Sequence, residues 1–568
     1  MSDSTARAAS LTLPGLISGL ARRFPDRLAL VGDKLALSFA DLDRRSARVA
    51  AGLERIGIVR GDCVAVWLPN LPEWIELFLA CSRLGAITLA LNTRFRSREV
   101  GDILRRSGSK VLVFWPTYKA GEFAEVLNQI DASHLSQVRT TVIYGDALPS
   151  DQLPGALAHG TACTYSSLSS HGSHSGVAGS VDDGCLIYTT SGTSSLPKFA
   201  LHSHRSLVQH ACDLANAPGS YALPDSAGLN LMPLCGAFGM TQTLGAIAGG
   251  ATTFLPLAFD PQQAAQIIRK HRITNMAGID EVFFRLLEVV QDTPAFPSIR
   301  YVAAGSFNGS SEDFLRVADA RGLHGINAYG MSEFQGLFSL QPVESDRQRR
   351  ATGGGIPVSS HAQVRVRDPD TGELLPHDTP GELEVKAPSV MLGYYGDASA
   401  TKAAMMEDGF FRTGDLGTTT PDGGLTFISR IGDTLRLSGF LVNSVEISRH
   451  IEEHPTIAEC QVVGAHSPDG FRPVAFVMLK EGAALDEHSL SEFCRQALAK
   501  YKLPSRFIAL DEFPATDGPN GRKIQRHILR NMAEGLFRQP STLVGPTVRS
   551  ADDTAATKIV GNPLLELK

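Results

Sequence analysis

The sequence predicts an α/β protein with a large N-terminal domain of doubly wound sheets plus a small β unit, followed by a smaller α+β C-terminal domain. Three observations support this fold class. Fully apolar strand-like segments alternate with segments of helical periodicity, the pattern of a parallel sheet covered on both faces. Around residues 361–395 the pattern changes to half-exposed strands. The length of 568 residues exceeds one ordinary domain.

The alternation begins with a helix that Ser38 and Asp41 are expected to cap, because a serine followed three residues later by an acid satisfies free backbone N–H groups. Apolar residues then recur at helical spacing until Gly57. The next predicted elements are a strand at 63–68, a helix at 73–84 and a strand at 87–91. Later, strands at 252–257, 275–278 and 301–304 alternate with helices at 261–271 and 281–290.

Composition excludes several classes of protein. A net charge of −6 implies no general attraction to nucleic acid. The eight cysteines fall singly, which favours reduced thiols over disulfides or zinc. The N-terminus lacks a signal-peptide apolar region, and no apolar run of about 20 residues occurs, so we expect a cytoplasmic protein without a membrane span.

A domain boundary is expected between two strand-like segments near residues 430–433. We therefore predict an N-terminal domain at 12–432 and a C-terminal domain at 433–538. Residues 539–568 carry turn formers and few aromatic side chains, which predicts a poorly ordered tail.

The segment from Tyr188 to Lys198 follows an apolar strand and is rich in hydroxyl groups, with one glycine and a closing lysine. Such a loop can wrap a polyphosphate with backbone N–H groups and hydroxyls, while the lysine adds positive charge. Its spacing differs from that of the kinase-type phosphate loop. On its own the segment is weak evidence, because a loop rich in serine and threonine is a solvated linker in most proteins.

Five further motifs follow this segment along the chain, and their order supports a functional interpretation of it. They are Asn327-Ala-Tyr-Gly-Met-Ser-Glu333, Gly381-Glu-Leu-Glu-Val with Gly393-Tyr-Tyr, Phe411-Arg-Thr-Gly-Asp-Leu416, Ser429-Arg-Ile-Gly-Asp433, and Asn520-Gly-Arg-Lys-Ile-Gln-Arg526. Together with Thr190 to Phe199, they resemble the motifs of the adenylate-forming (ANL) superfamily of acyl-CoA synthetases, adenylation domains and beetle luciferases. The resemblance covers residues 12–538.

The resemblance implies that the chain activates a carboxylic acid with ATP and Mg²⁺ and then transfers the acyl group to coenzyme A. It assigns the nucleotide site to Thr190, Ser191, Gly192, Thr193, Lys198, Gly305, Tyr329, Gly330, Met331, Asp415 and Arg430. Glu333 would be the Mg²⁺ ligand, with Ser332 supplying a hydroxyl beside it. Asp415 would accept hydrogen bonds from the ribose diol, and Tyr329 would stack on adenine.

The same resemblance makes Lys523 the catalytic lysine, because its ammonium would stabilise charge that develops between the carboxylate and the α-phosphate. The C-terminal domain that carries it would be mobile. Asp433 matches the hinge position between the two half-reactions, and Gly439 lies in the loop expected to face the pantetheine tunnel. No carrier-type segment accompanies the chain, so a carrier-protein acceptor would be a separate partner.

The acyl pocket is expected to involve Gly236, Phe238, Gly239 and Ala304. Gly236 stands where relatives have a histidine or an aromatic residue that gates the pocket, and the missing side chain would enlarge the pocket or relax its gate. No aspartate in the segment 232–239 is available to pair with a substrate ammonium, so an apolar aliphatic or aromatic acid is favoured.

Ser195 and Phe199 also depart from the family pattern, and we expect the loop to hold phosphates less tightly. Two alternatives stay open, a ligase that loads a separate carrier protein and a degenerate, non-catalytic nucleotide-binding homologue.

Overall fold

The computed structural model describes residues 11–145, 154–170, 172–174, 176, 179–190, 197–305, 311–431, 434–437, 440–467, 470–498, 500–518 and 521–538. The chain is α/β as predicted, with two large sheets in its N-terminal part and smaller sheets after residue 433. Within the described residues, no helix combines the length and the apolar character needed to cross a bilayer.

The described residues form one sheet of eight strands with a parallel centre. Its strands, in sheet order, are Gly393–Tyr394, Lys198–Ser203, Gly184–Thr190, Ile87–Ala90, Cys63–Trp67, Val111–Phe114, Thr140–Ile143 and Thr161–Thr164. Every residue of Cys63–Trp67 is buried, as expected for a strand with helices on both faces. The antiparallel pairing of Gly184–Thr190 with Lys198–Ser203 makes the 190–198 segment the connection of a hairpin.

A second sheet of fourteen described strands changes from parallel to antiparallel along its length. In sheet order its strands are Leu374–Leu375, Gln363–Arg367, Gly381–Lys386, Phe411–Thr419, Leu425–Arg430, Gly354–Pro357, Gln335–Leu340, Gly325–Met331, Tyr301–Gly305, Asn275–Ile279, Ala227–Leu229, Thr252–Leu255, Leu28–Gly32 and Ala36–Ser38. The β unit expected around 361–395 forms. Its strands from Gln363 to Lys386 extend this sheet, while Gly393–Tyr394 belongs to the eight-stranded sheet.

Helices cover these sheets. Those of the N-terminal part are Leu13–Arg23, Phe39–Arg55, Pro72–Leu84, Ser97–Ser107, Glu122–Asn128, Tyr165–Ser169, His204–Asn216, Ala237–Ala248, Pro261–His271, Asp280–Glu288, Ser311–Ala320, Arg347–Ala351 and Ala398–Ala404. The predicted cap is present, because the Ser38 hydroxyl accepts from the Asp41 N–H at 3.1 Å and the Asp41 carboxylate accepts from the Ser38 N–H at 3.2 Å.

The C-terminal part is α+β. Its strands are Thr434–Leu437, Phe440–Asn443, Ile457–Ser467, Gly470–Leu479, Phe507–Ala509, Ala515–Gly518 and Gly521–Ile524, and its helices are Ser444–Glu452, Glu487–Ala497 and Arg526–Arg538. Two hydrophobic clusters of this part contain only residues from Leu435 onward. The clusters of the N-terminal part end at Phe427. All eight cysteines are unpaired in the described structure.

Candidate active site

Asp415 is the most deeply buried carboxylate among the residues assigned to the nucleotide. It lies on strand Phe411–Thr419, opposite Arg430 on the neighbouring strand, and is 1% exposed. Its Oδ2 accepts a 2.6 Å hydrogen bond from the Tyr329 hydroxyl, and Oδ1 lies 3.0 Å from Arg430 Nε. Burial raises the pKa of Asp415, and the Arg430 charge opposes that shift. The carboxylate has about four acceptor lone pairs, so these contacts leave capacity for a diol.

Tyr329 connects this carboxylate to an aromatic wall. Its ring stacks on Phe427 with centroids 5.6 Å apart and an interplanar angle of 26°. Burial raises the pKa of the Tyr329 hydroxyl well above its usual range, and the neighbouring Asp415 charge adds to that rise. The tyrosine therefore stays a neutral donor that holds Asp415. With Phe427 on one face of the ring, an adenine could stack only from the opposite side.

Glu333, the predicted metal ligand, is linked to Lys198 through Tyr394. The Tyr394 hydroxyl donates a 3.0 Å hydrogen bond to Oε1 of Glu333. Lys198 Nζ lies 4.8 Å from the centroid of the same tyrosine ring, a cation–π arrangement. Burial, followed by the Glu333 charge, raises the pKa of Tyr394. One aromatic side chain thus sets the positions of the loop lysine and the carboxylate.

The ends of the predicted phosphate loop meet across a strand pair. Thr190 and Lys198 are direct antiparallel partners. Ser191, Gly192, Thr193 and Ser195 lie outside the described residues.

Phe199, which departs from the family pattern, packs into the protein interior. Its side chain is 2% exposed within a hydrophobic cluster, and the Arg106 guanidinium carbon lies 4.3 Å from its ring centroid. Arg106 also donates a 2.8 Å hydrogen bond to the carbonyl of Pro197. The departure therefore anchors the end of the loop to the core beneath it.

The segment expected at the acyl pocket forms the start of helix Ala237–Ala248, with Gly236 as its N-cap. Gly239 is required sterically, because a Cβ atom there would lie 2.3 Å from the Pro233 carbonyl oxygen. Asn70 fixes the preceding segment, since its amide donates to the Met232 carbonyl and accepts from the Leu234 N–H, both at 2.9 Å.

The helix start is close to the segment that carries Glu333. A Cβ added at Gly336 would lie 2.8 Å from Phe238 Cα. Ala304 and Gly305 lie at the end of strand Tyr301–Gly305, and Ala304 pairs with Asn327 of the strand that leads to Tyr329. The structure thus places Ala304 of the predicted pocket on the strand next to that of Tyr329, and it places the helix start at Phe238 against Gly336.

Strands Gly325–Met331 and Gln335–Leu340 are joined by a tight turn at residues 332–334, and the backbone beside it is unusual. A Cβ at Gly330 would lie 2.5 Å from the Gln335 carbonyl oxygen, and Met331 pairs with Gln335. Gln335 and Leu337 both adopt positive φ values, of 78° and 56°. Such conformations are costly for residues other than glycine and persist where surrounding contacts hold them.

Sequence reasoning gave no role to the buried polar residues behind this turn. The Ser332 carbonyl accepts a 2.7 Å hydrogen bond from Nε2 of His202, which in turn contacts Gln335. Nothing in the local sequence marks His202, because burial of a histidine on a strand depends on the packing of distant segments. Tyr394 belonged to a recognised motif, but its contacts with Glu333 and Lys198 also required the fold.

Of the residues predicted in the C-terminal part, Asp433 and Gly439 lie outside the described residues. The backbone of Lys523 lies on strand Gly521–Ile524, opposite Thr516.

Comparison with known proteins agrees with this geometry. The model of the AMP-binding enzyme family matches residues 19–395, and that of the AMP-binding enzyme C-terminal domain matches residues 446–518. The chain is 31% identical to the probable acyl-activating enzyme 4 of Arabidopsis thaliana over 93% of this chain and 97% of that protein. It is 30% identical to 2-methylpropanoate–CoA ligase CCL4 of Humulus lupulus, over 94% and 98%.

Among solved structures, ATP-bound MatB from Rhodopseudomonas palustris superimposes with a TM-score of 0.76 at 25% identity, covering 92% of this chain and 100% of that one. Fold and family models together define an enzyme that activates an acid through its adenylate. The chain belongs to the AMP-binding enzyme family of the adenylate-forming superfamily, and it is an AMP-forming acid–thiol ligase.

Proposed function

We propose that the protein is an ATP-dependent carboxylate–CoA ligase for an apolar aliphatic or aromatic acid. One observation carries the proposal. A single five-residue segment contains Tyr329, bound to the buried Asp415, and Glu333, bound by the tyrosine beneath Lys198. The diol acceptor Asp415 and the phosphate-neutralising Lys198 are thereby both tied to this one segment, which suits a nucleotide with its ribose at one end and its phosphates at the other.

In the first half-reaction, a carboxylate oxygen forms a bond to the α-phosphorus of ATP, and the bond to pyrophosphate breaks. Asp415 accepts hydrogen bonds from the ribose hydroxyls while Arg430 contacts the ribose or the phosphates. Lys198, with Thr190, Ser191, Gly192 and Thr193, holds the leaving phosphates. Positioning and charge neutralisation suffice for this chemistry, because no proton transfer is required.

Glu333 fits Mg²⁺, which takes one or two carboxylates together with phosphate oxygens. The Tyr394 hydroxyl orients Oε1 of this carboxylate, and the neighbouring Ser332 contributes its hydroxyl. When bound, the ion neutralises charge on the phosphates. Lys523 is proposed as the catalytic lysine that contacts the carboxylate and the α-phosphate.

In the second half-reaction, the thiol of CoA attacks the acyl carbon, AMP leaves and the thiol proton is released. We propose an N-terminal domain at 12–432 and a mobile C-terminal domain at 433–538. Rotation about Asp433 would withdraw Lys523 and bring the loop of Gly439 to the thiol tunnel. The proposal places the enzyme in the cytoplasm.

The substrate class rests on the pocket segment. Gly236 contributes no side chain, and Phe238, Gly239 and Ala304 are uncharged. One relative is by name a ligase of 2-methylpropanoate, a small branched aliphatic acid, which supports an apolar substrate here.

Two alternatives make different predictions. A carrier-loading enzyme would form the adenylate without CoA turnover and would need a separate carrier protein. A degenerate homologue would bind nucleotide without activating any acid; the retained Glu333, Asp415 and Lys523 argue against it.

The test is ATP–pyrophosphate exchange across a panel of aliphatic, aromatic and amino acids, followed by thioester formation with and without CoA. Exchange with an apolar acid and CoA-dependent AMP release are expected. Exchange without CoA turnover would favour the carrier alternative, and no exchange with any acid would contradict the proposal.

A further inference from the structure

The carbonyl group that precedes Glu333 is held from the protein interior by His202. This histidine lies on strand Lys198–Ser203 and is completely buried. Its Nε2 lies 2.7 Å from the Ser332 carbonyl oxygen. That carbonyl belongs to the peptide unit whose N–H is that of Glu333, so the contact fixes the backbone immediately before the metal-binding carboxylate.

The partners of His202 agree on which of its ring nitrogens carries the proton. The Ser332 carbonyl at Nε2 can only accept, while Nδ1 faces the amide of Gln335 and lies 3.2 Å from the Ser206 hydroxyl. The amide Nε2 of Gln335 lies 2.8 Å from Nδ1 of His202. An amide NH₂ only donates, so Nδ1 must accept and Nε2 must carry the hydrogen that the Ser332 carbonyl receives. Burial lowers the pKa of His202 to about 4, and the ring therefore stays neutral in this tautomer at physiological pH.

Gln335 itself is held in a conformation that needs support. Its φ of 78° is costly for a side chain with a Cβ atom. Its Oε1 accepts from the hydroxyls of Tyr188 and Thr241, at 3.3 and 3.4 Å. Tyr188 lies on the strand that leads into the phosphate loop, so the network joins this strand to the Glu333 turn.

Glu333 is consequently fixed on three sides. His202 holds the Ser332 carbonyl that precedes Glu333. The Met391 N–H donates to the Glu333 carbonyl at 2.8 Å, and the Tyr394 hydroxyl holds the Glu333 carboxylate. The contact with Met391 ties the turn to the segment that continues to Tyr394. His202 links the turn to the interior of the eight-stranded sheet by a side chain that is completely buried.

We propose that His202 and Gln335 are positioning residues that set the orientation of Glu333 and so couple ATP binding to Mg²⁺. The inference rests on the proposed role of Glu333 in binding Mg²⁺, and it assigns a function to two residues outside the nucleotide motifs. Groups that orient a metal ligand typically account for about 10- to 100-fold in metal affinity.

The experiment measures binding instead of turnover. Isothermal titration calorimetry gives the affinity for α,β-methylene-ATP in EDTA and at stepped Mg²⁺ concentrations. The ratio of the affinity with Mg²⁺ to the affinity in EDTA is the Mg²⁺ coupling. His202→Asn retains an acceptor near Nδ1 but loses the donor to Ser332. We expect its coupling to fall about 10-fold, whereas His202→Gln, whose amide nitrogen replaces Nε2, should retain most of it.

His204→Asn is the matched control. His204 is also completely buried, two residues along, but its Nδ1 accepts from the Leu13 N–H at 3.4 Å on another part of the fold. Its Mg²⁺ coupling should equal that of the wild type. Equal coupling in His202→Asn and His204→Asn would overturn the proposal.

A second variant keeps the test informative if His202→Asn does not fold. Gln335→Met preserves the length of the side chain and removes the donor to Nδ1, and we expect a smaller loss of coupling. A folded Gln335→Met protein with wild-type coupling would contradict the role of this pair. If the wild type itself shows no Mg²⁺ coupling, the assignment of Glu333 fails, which is a distinct outcome.

Discussion

The hydroxyl group of Tyr329 donates a 2.6 Å hydrogen bond to Oδ2 of Asp415. Three strands lie between those of the two residues in the fourteen-stranded sheet. The sheet must therefore curl strongly for the side chains to meet, and Phe427 of an intervening strand stacks on the tyrosine ring. Asp415, the proposed ribose acceptor, is thus positioned by sheet curvature and aromatic packing together.

Replacing Asp415 by Asn should weaken ATP binding about 10- to 100-fold, because hydrogen bonds to a charged acceptor contribute about 1.5–3 kcal/mol and those to an amide less. The amide also turns a donor group toward Arg430. Calorimetric ATP binding measures the effect. Asp422→Asn is the control, since Asp422 forms an exposed ion pair with Arg349, and it should bind ATP normally. A folded Asp415→Asn protein with wild-type affinity would contradict the assignment.

Replacing Tyr394 by Phe removes the hydrogen bond to Glu333 and leaves the ring beneath Lys198. The Mg²⁺ concentration for half-maximal ATP–pyrophosphate exchange should rise about 10-fold. Tyr395→Phe serves as the control, because Tyr395 packs beside a separate hydrophobic cluster. An unchanged Mg²⁺ requirement in Tyr394→Phe would show that the hydroxyl does not orient the carboxylate.

Restoring the family glycine at Phe199 should destabilise the protein. Removal of a buried phenylalanine costs about 3–5 kcal/mol, and glycine within a strand adds roughly 0.5–1 kcal/mol. Urea unfolding gives the free-energy change. Phe199→Leu retains most of the apolar volume and should lose much less. If Phe199→Gly were as stable as the wild type and bound ATP more tightly, the anchoring role would be wrong.

Introducing Phe at Gly236 should narrow the acyl pocket. Gly236 has φ −106° and ψ 149°, an extended conformation that any residue adopts. We expect kcat/KM to fall about 10- to 100-fold for bulky acids, while the smallest acids accepted are spared. Gly239→Ala should instead destabilise the fold, because its Cβ would collide with Pro233. Equal losses for small and bulky acids in Gly236→Phe would exclude Gly236 from the pocket.

His204 should make the protein sensitive to acid. Burial lowers its pKa to about 4 from an ordinary 6.5. Below pH 6.5 the unfolded chain binds a proton that the folded chain does not, so stability falls as the pH drops toward 4, by at most about 1.4 kcal/mol per pH unit. His204→Gln should flatten the urea-midpoint profile in this window and leave it unchanged above pH 7. An identical slope in the variant would refute the prediction.

The sequence by itself determined the fold class, the order of elements and the family. Apolar strands, the Ser38 cap and five ordered motifs are local features, so they can be recognised in the sequence without the folded structure. The predicted helix at 261–271 matches Pro261–His271, and the strands at 275–278 and 301–304 match to within one residue.

Only the tertiary structure decided which side chains hold the site in place. His202, Gln335 and Tyr394 contact residues that lie up to 147 positions away in the sequence, and Phe199 turned out to be an anchor because Arg106 covers it. Such contacts depend on how strands pair and curl. The physical reason is that a buried polar group needs a hydrogen-bond partner, and the packing of the folded chain decides which residue that is. The spacing of residues along the sequence does not show which distant residues will meet.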